Sequence, residues 1–406
     1  MKKFILTIGI LLSAQSFIGA NPTRKTIQTG GFEREYLVYT PQNPQYEKPF
    51  GMIVCLHGFN RTMYDFFNEY NVSAVADSLN LIIAAPQALP EQNPTVIAEA
   101  NAINSLTNNQ ISLQYVWGCG LRVKASLLGI LMLDEELNRS VDDVGFINQI
   151  IDSVLSGYSL PPENIFMLGT SMGGYMTYQY ALGKGDRLSG IISVAGSMGL
   201  TVKGMDYATK VPVCDFHSLT DEVVPYYGSY QQGLATITLG ISIPNVINYW
   251  VKTNGAGTLD SMAVENYPPA NSITVEKFIY PDTVNEVIHY KINGALHNYF
   301  FRKENGDCMD YPEEISRFIK SHLSKTVNQI PDITAQKTCF YPNPVQDIIH
   351  FNIMTGNVSI YDITGRKFFS QSFQSGQTDL SFLKQGVYII RVQSGNTIQS
   401  GRLIKQ

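Results

Sequence analysis

The stretch Ile165-Phe166-Met167-Leu168-Gly169-Thr170-Ser171-Met172-Gly173-Gly174 carries an apolar strand directly into a Gly-x-Ser-x-Gly turn. Residues 175–182 then continue as a helix. A serine between glycines, with a strand before it and a helix after it, is the signature of a nucleophile elbow. The turn is so tight that the serine adopts strained backbone, and side chains at the flanks would strike neighbouring elements. It lifts the hydroxyl out of the sheet and sets it at a helix N-terminus. Free N–H groups and the helix dipole there favour a developing negative charge. The five residues alone are compatible with an ordinary structural turn; their setting favours the elbow.

Working outward, residues 52–56, 81–85, 165–168, 191–195 and 211–216 are apolar without alternation. Strands covered on both faces have this pattern, as in parallel sheets flanked by helices. Helical stretches at 63–79, 144–156, 174–182 and 246–252 lie between them, so a mostly parallel α/β sheet is predicted. Residues 25–39 read as two short strands around Gly30-Gly31, and 273–279 and 287–292 as the last strands. Residues 311–323 form a closing helix with Ile315, Phe318 and Ile319 on one face. Two less regular insertions, 87–117 and 122–139, interrupt this pattern, the first with a short helix at 95–106. Each is either a lid or pocket wall, or a peripheral element with no role toward substrate.

A serine hydroxyl needs a base to take its proton, and on this architecture the partners follow in the order Ser, acid, His. His217, His289, His297 and His322 all come after Ser171. His322 falls in the closing helix and His289 in a strand. His297, in the loop after that strand, is where an open α/β sheet presents catalytic groups, at the carboxyl end. Asp221 sits in the loop after the 211–217 strand and is the chosen acid, with Glu222 and Asp215 as fallbacks. Its role would be to accept the His297 Nδ1–H and hold the tautomer. Two N–H groups, of Met172 after the nucleophile and Phe59 after Leu56-His57-Gly58, are assigned to the oxyanion hole. His57 precedes the usual order and is read as shaping that loop. Trp117, Tyr175 and Tyr226, with Phe59, are assigned to the wall of an acyl pocket, the alternative for each being ordinary core.

The chain has 406 residues, 44% hydrophobic and 16% charged, with a formal net charge of −5. That length suits one large domain and a small one, and the composition argues against disorder and against a nucleic-acid surface. Lys2 and Lys3 precede an apolar run to Ile18 and then Gly19-Ala20, which reads as a signal peptide over residues 1–20; a membrane anchor is the alternative, but the run is short for a span. Cys55, Cys119, Cys214, Cys308 and Cys339 show no metal-ligand spacing, and an odd count leaves at least one thiol unpaired. No metal or cofactor is expected. Residues 21–325 form the large domain and 326–337 a linker. Short strands at 348–353, 358–363, 367–374 and 386–392 then make residues 338–406 a small β-sandwich.

Leu56-His57-Gly58, Val141-Asp142-Asp143-Val144-Gly145-Phe146-Ile147, the elbow, His217-Ser218-Leu219-Thr220-Asp221-Glu222-Val223-Val224-Pro225-Tyr226 and Gly294-Ala295-Leu296-His297 together resemble one esterase family. It includes polyhydroxybutyrate depolymerases, feruloyl esterases and acetylxylan esterases, carbohydrate esterase family one. The resemblance runs from about residue 34 to 322. It implies an α/β-hydrolase fold, a triad of Ser171, Asp221 and His297, no metal, and ester substrates on plant polysaccharide or a polyester. Asp142 and Asp143 are read as acids satisfying a helix start. This chain departs from the family at Asn298-Tyr299-Phe300, where relatives often carry Trp-Pro-Gly, and at Phe59, where many have Cys. Those positions surround the pocket, so they bear on substrate and leave the reaction type alone.

Tyr341-Pro342-Asn343-Pro344-Val345, Val358-Ser359-Ile360-Tyr361-Asp362-Ile363-Thr364-Gly365-Arg366, Gly386-Val387-Tyr388-Ile389-Ile390 and Gly401-Arg402-Leu403-Ile404-Lys405 resemble the type A sorting domain of the type IX secretion system. That implies secretion machinery as a partner and an extracellular or surface-anchored enzyme. A carbohydrate-binding module is the alternative for the tail. For the large domain the alternatives are a peptidase on the same fold and an inactive, surface-displayed glycan binder.

Overall fold

Five of the strands are buried along their whole length: Gly51–Leu56, Leu81–Pro86, Ile165–Thr170, Gly190–Val194 and Val213–Ser218. Each lies in the apolar, non-alternating runs, as strands covered on both faces must. The computed structural model describes residues 22–42, 48–107, 112–127, 130–202, 205–232, 234–257, 262–324, 340–362, 367–394 and 397–406. The proposed signal peptide, the linker at 326–337, Gly365 and Cys339 lie outside the described residues. Internal contacts divide the chain into residues 1–327 and 328–406.

In chain order the larger unit runs β1 (Thr23–Thr29), β2 (Phe32–Tyr39), β3 (Gly51–Leu56), α1 (Asp65–Asn68), α2 (Val72–Leu79), β4 (Leu81–Pro86), α3 (Pro94–Thr107), β5 (Arg122–Leu127), β6 (Ile130–Glu136), α4 (Asp143–Tyr158) and β7 (Ile165–Thr170). It continues α5 (Met172–Lys184), β8 (Gly190–Val194), β9 (Val213–Ser218), β10 (Ser229–Gln232), β11 (Ala235–Thr238), α6 (Ile243–Asn254), β12 (Ala263–Asn266), β13 (Thr274–Tyr280), β14 (Val287–Asn293) and α7 (Tyr311–His322). Ten strands form one sheet in the order β1-β2-β4-β3-β7-β8-β9-β14-β13-β12. From β4 to β14 every neighbouring pair is parallel, and antiparallel strands finish both edges. This is the α/β-hydrolase arrangement, with one apolar core on each face of the sheet.

Two pairings position the loops that matter. Leu56 on β3 pairs with Gly169 on β7, so the residues that follow, His57-Gly58 and Thr170-Ser171, emerge side by side. Ser218 on β9 pairs with Ile292 on β14, so the loops after these two strands are neighbours as well. Strand order reverses at β3, which opens a crevice at the carboxyl ends there.

Local detail departs from expectation in two places. The single helix expected at 63–79 is two, α1 and α2, separated at Asn71, whose φ of 48° is left-handed and stops helix propagation. The 122–139 insertion is a hairpin, β5 and β6, completed by β10 and β11 into a separate four-stranded antiparallel sheet. Its partner strands lie about a hundred residues further along, a pairing that no local periodicity encodes. The helix expected at 95–106 is α3, which buries Val96 and Ala100. Among the described residues no helix is long and apolar enough to cross a membrane.

The smaller unit is two antiparallel sheets, one of three strands and one of four. They share a core of Phe340, Val345, Ile349, Phe351, Val358, Ile360, Phe373, Leu380, Leu383, Ile390, Val392 and Leu403. Beyond the four strands expected there, the terminal strand Thr397–Lys405 pairs along its whole length with Gly386–Ser394.

One buried ion pair joins three parts of the larger unit. Arg34 on β2 donates from Nη2 to Asp143 at 2.7 Å, and both side chains are almost fully enclosed. The same guanidinium donates to the Gln87 carbonyl at 3.1 Å and lies over the Phe146 ring. The second oxygen of Asp143 accepts the Gly118 N–H at 2.7 Å. Asp142 caps α4 as anticipated, accepting the Gly145 N–H, whereas Asp143 turns inward and ties β2 and α4 to Gln87, which opens the 87–117 insertion, and to Gly118, which follows it. Arg34→Met leaves Asp143 buried without its cation and is expected to cost about 3–5 kcal/mol of stability in urea unfolding. A loss under 1 kcal/mol would show the pair to be dispensable.

Candidate active site

Ser171 has φ 53° and ψ −121°, backbone that a non-glycine residue adopts only under strain. Its N–H donates to the Val194 carbonyl at 2.8 Å, which pins the elbow to β8. Glycine is demanded by lack of room. A Cβ on Gly173 would lie 1.8 Å from the Leu56 carbonyl oxygen, and one on Gly169 would lie 2.1 Å from the Gly173 oxygen. Met172 is the first residue of α5, so its N–H has no acceptor within the helix.

The Ser171 Oγ–H donates to His297 Nε2 at 2.9 Å. The opposite ring nitrogen of His297 donates to Asp221, 2.8 Å from Oδ2 and 3.0 Å from Oδ1. Asp221 Oδ1 also accepts the N–H groups of Val223 and Val224 at 2.9 and 2.7 Å. The carboxylate thus accepts two main-chain N–H groups as well as the imidazole, and its side chain is fully buried. Serine, acid and imidazole come from the loops after β7, β9 and β14.

The other candidate acids and histidines bond to other groups, with His217 Nε2 also 3.6 Å from Asp221 Oδ2. Asp215 receives the Tyr178 hydroxyl at 2.9 Å and the His289 Nδ1–H at 2.8 Å, and His289 Nε2 accepts the Tyr226 hydroxyl at 3.0 Å. Glu222 accepts the backbone N–H of His297 at 2.9 Å. His217 is buried with its ring nitrogens 2.8 Å from the Val224 carbonyl oxygen and 3.1 Å from that of Gly196. His322 in α7 has Nδ1 2.8 Å from the Phe318 carbonyl oxygen. Only His297 meets both the serine and an acid.

The loop before Phe59 is built around His57. A Cβ on Gly58 would come 3.3 Å from the Ser171 Cβ, so this backbone passes close over the nucleophile. His57 Nδ1–H donates to the Gly58 carbonyl at 2.8 Å, and its Nε2 accepts the Ala88 N–H at 3.1 Å and faces Gln87 Nε2 at 2.9 Å. Trp117 donates from Nε1 to the His57 carbonyl at 2.8 Å. Burial pushes the His57 pKa down to about 4, so the ring stays neutral and serves as a brace.

The pocket assignments need correction. Trp117 and Tyr175 are fully buried, and Tyr226 is buried with its hydroxyl on His289. Trp117 and Tyr175 fill the core and offer no wall to substrate, whereas Tyr226 lines a cavity with Phe278, Tyr280 and His289 whose lining includes neither Ser171 nor His297. The exposed apolar side chains beside the triad lie in the loops themselves: Phe59 at 37%, Val223 at 43% and Leu296 at 61% exposure. Val223 and Leu296 were not singled out from sequence; their position next to Glu222 and His297 was the available signal. Among the described residues, no group of three or more His, Cys, Asp or Glu is arranged to hold a metal ion. Cys55, Cys119, Cys214 and Cys308 are free thiols, and burial raises the pKa of each.

Comparison with known proteins finds similarity in two separate parts of the chain. Residues 133–240 match the phospholipase/carboxylesterase family model, a span that includes Ser171 and Asp221 and ends before His297. Residues 339–406 match the secretion system C-terminal sorting domain, so the smaller unit is a sorting domain. "Putative esterase NocK" of Nocardia uniformis subsp. tsuyamanensis is 23% identical over 169 residues, 39% of this chain and 48% of the relative. The match therefore spans about half the length of that relative. Among solved structures, an acetyl xylan esterase from Aspergillus awamori superposes with a TM-score of 0.45 at 14% identity, covering 73% of this chain and 99% of that one. An S-formylglutathione hydrolase from Agrobacterium tumefaciens gives 0.41 at 13% identity, covering 76% and 94%.

The depressed pKa of His57 has a stability consequence. Between pH 6.5 and about 4 the unfolded chain binds a proton at this ring and the folded chain does not, so stability falls as pH drops through that window. The full effect is roughly 3 kcal/mol. Denaturant unfolding of the larger unit at pH 7 and pH 4.5 should show a smaller pH-dependence for His57→Gln than for the parent. Identical dependence in the two proteins would mean that His57 is not neutral when folded.

Proposed function

We propose that this protein is an exported serine esterase that cleaves carboxylic esters through an acyl-enzyme, with Ser171, His297 and Asp221 as nucleophile, base and acid. The observation that carries this reading is the unbroken hydrogen-bond line from Ser171 Oγ through both nitrogens of His297 to the Asp221 carboxylate. His297 Nε2 takes the Ser171 proton as Oγ attacks the ester carbonyl carbon. The imidazolium that forms is stabilised by Asp221, which keeps its own negative charge. The N–H groups of Met172 and Phe59 receive the oxyanion of the tetrahedral intermediate. As that intermediate collapses, His297 gives its proton to the departing alcohol oxygen. Water, deprotonated by the same nitrogen, then attacks the acyl-enzyme; collapse returns the proton to Ser171 and releases the acid.

The substrate we assign is an ester carried on a large molecule: feruloyl or acetyl groups on plant polysaccharide, or a polyester. Two features support this. Phe59, Val223 and Leu296 leave apolar surface exposed in the loops that carry the reacting groups. A sorting domain addresses the chain to a compartment where polymers too large to enter a cell are met. We further assign residues 1–20 as a cleaved signal peptide and residues 338–406 as the address read by type IX secretion machinery. After crossing the outer membrane the enzyme would be released or anchored at the cell surface.

A panel of methyl ferulate, acetylated xylan and polyhydroxybutyrate granules tests the substrate class, and p-nitrophenyl esters against peptide anilides test the reaction. Ester turnover without anilide turnover is expected. Ser171→Ala should fold as the parent does by circular dichroism and lose at least about a thousandfold in kcat/KM, with no fluorophosphonate labelling. Retained ester turnover in that variant would make another residue the nucleophile.

A further inference from the structure

A base that takes a proton from Ser171 needs a fixed backbone as well as an oriented ring. Asp221 orients the imidazole through one ring nitrogen, but a hydrogen bond to a ring does not stop the loop beneath from shifting. Apolar packing holds this segment at Ala295, which is buried in the core, but not beside the imidazole: Leu296 is largely exposed, and Gly294 sits at φ 95° with no side chain. The contacts that fix this segment come from alternate residues of the acid loop. Ser218 Oγ and Thr220 Oγ1 donate to the Ala295 carbonyl at 2.6 and 2.8 Å, and Thr220 Oγ1 accepts the Gly294 N–H at 3.2 Å. Glu222 Oε2 accepts the N–H of His297 itself at 2.9 Å.

We infer that Glu222 is a positioning residue of the catalytic base, fixing the main chain of His297 while its neighbour Asp221 fixes the side chain. This rests on the Ser171–His297–Asp221 reading and extends it. Two adjacent carboxylates thereby hold one residue at two points. The role asks for an acceptor oxygen at the end of a side chain of this length, and it does not ask for a charge. Reaction rates are steeply sensitive to placement, with about 1 Å of displacement costing on the order of a hundredfold.

The test compares Glu222→Ala with Glu222→Gln, alongside Ser171→Ala, on a p-nitrophenyl ester. Glu222→Ala should lower kcat by roughly 10–100-fold with KM changed less than about threefold, because ground-state binding does not use the base. Its rate of fluorophosphonate labelling at Ser171 should fall in parallel. Glu222→Gln keeps an oxygen that accepts the same N–H, so it should recover kcat to within about threefold of the parent with an unmoved pH profile. Glu222 is exposed, and unfolding midpoints of the two variants should match the parent's. Full kcat in Glu222→Ala overturns the assignment, as does equal impairment of the Gln and Ala variants, which would make the charge the active feature. If Ser171→Ala is inert while Glu222→Ala is as fast as the parent, only the role of Glu222 falls. If Ser171→Ala stays active, the triad reading falls and this inference with it.

Discussion

Everything at the candidate site depends on strands that run parallel and end level with one another. Parallel pairing of β3 with β7 brings the Gly58 backbone over Ser171, and parallel pairing of β9 with β14 brings the acid loop against the histidine loop. Four loops separated by as many as 240 residues of chain meet at one edge because backbone hydrogen bonds set their register. The cost is a strained serine and glycines that admit no other residue. Both are tolerated because the surrounding sheet is buried on both faces and bonded along its length.

Beneath that edge, acids and histidines of similar chemistry do different work because of what each one faces. Asp221 has its acceptor positions filled by two N–H groups and an imidazole. Asp215, one strand-length below, is joined to Tyr178 and to His289, which in turn receives Tyr226. Since Tyr226 closes the loop that begins with Asp221, this lower network braces the upper one. His217 adds a further hold through the Val224 carbonyl. Buried polar groups of this kind are costly unless satisfied, and satisfied they select one arrangement of the loop.

The smaller unit is organised on another principle. It has a twelve-residue core of its own, and its strands are antiparallel and half exposed. The two units are therefore folds of different class within one chain.

The amino-acid sequence by itself determined the sheet class, the elbow turn, the chain order of the candidate serine, acid and histidine, and the sorting-domain motifs of the tail. These are legible because they are local: a fully apolar strand, glycines at a turn, and polar residues just past a strand end each leave a mark within a few positions. The side-by-side arrangement of Ser171, His297 and Asp221 is a tertiary fact, as are the burial of Trp117, Tyr175 and Tyr226, the inward turn of Asp143 to Arg34, the second sheet of β5, β6, β10 and β11, and the attachment of Glu222 to the His297 main chain. All of these depend on which distant segment arrives alongside. A tyrosine near a catalytic loop has the same letter whether it faces solvent or core, and a glutamate next to the acid has the same letter whether it serves as that acid or holds its partner. Only the register of non-local strands decides between them.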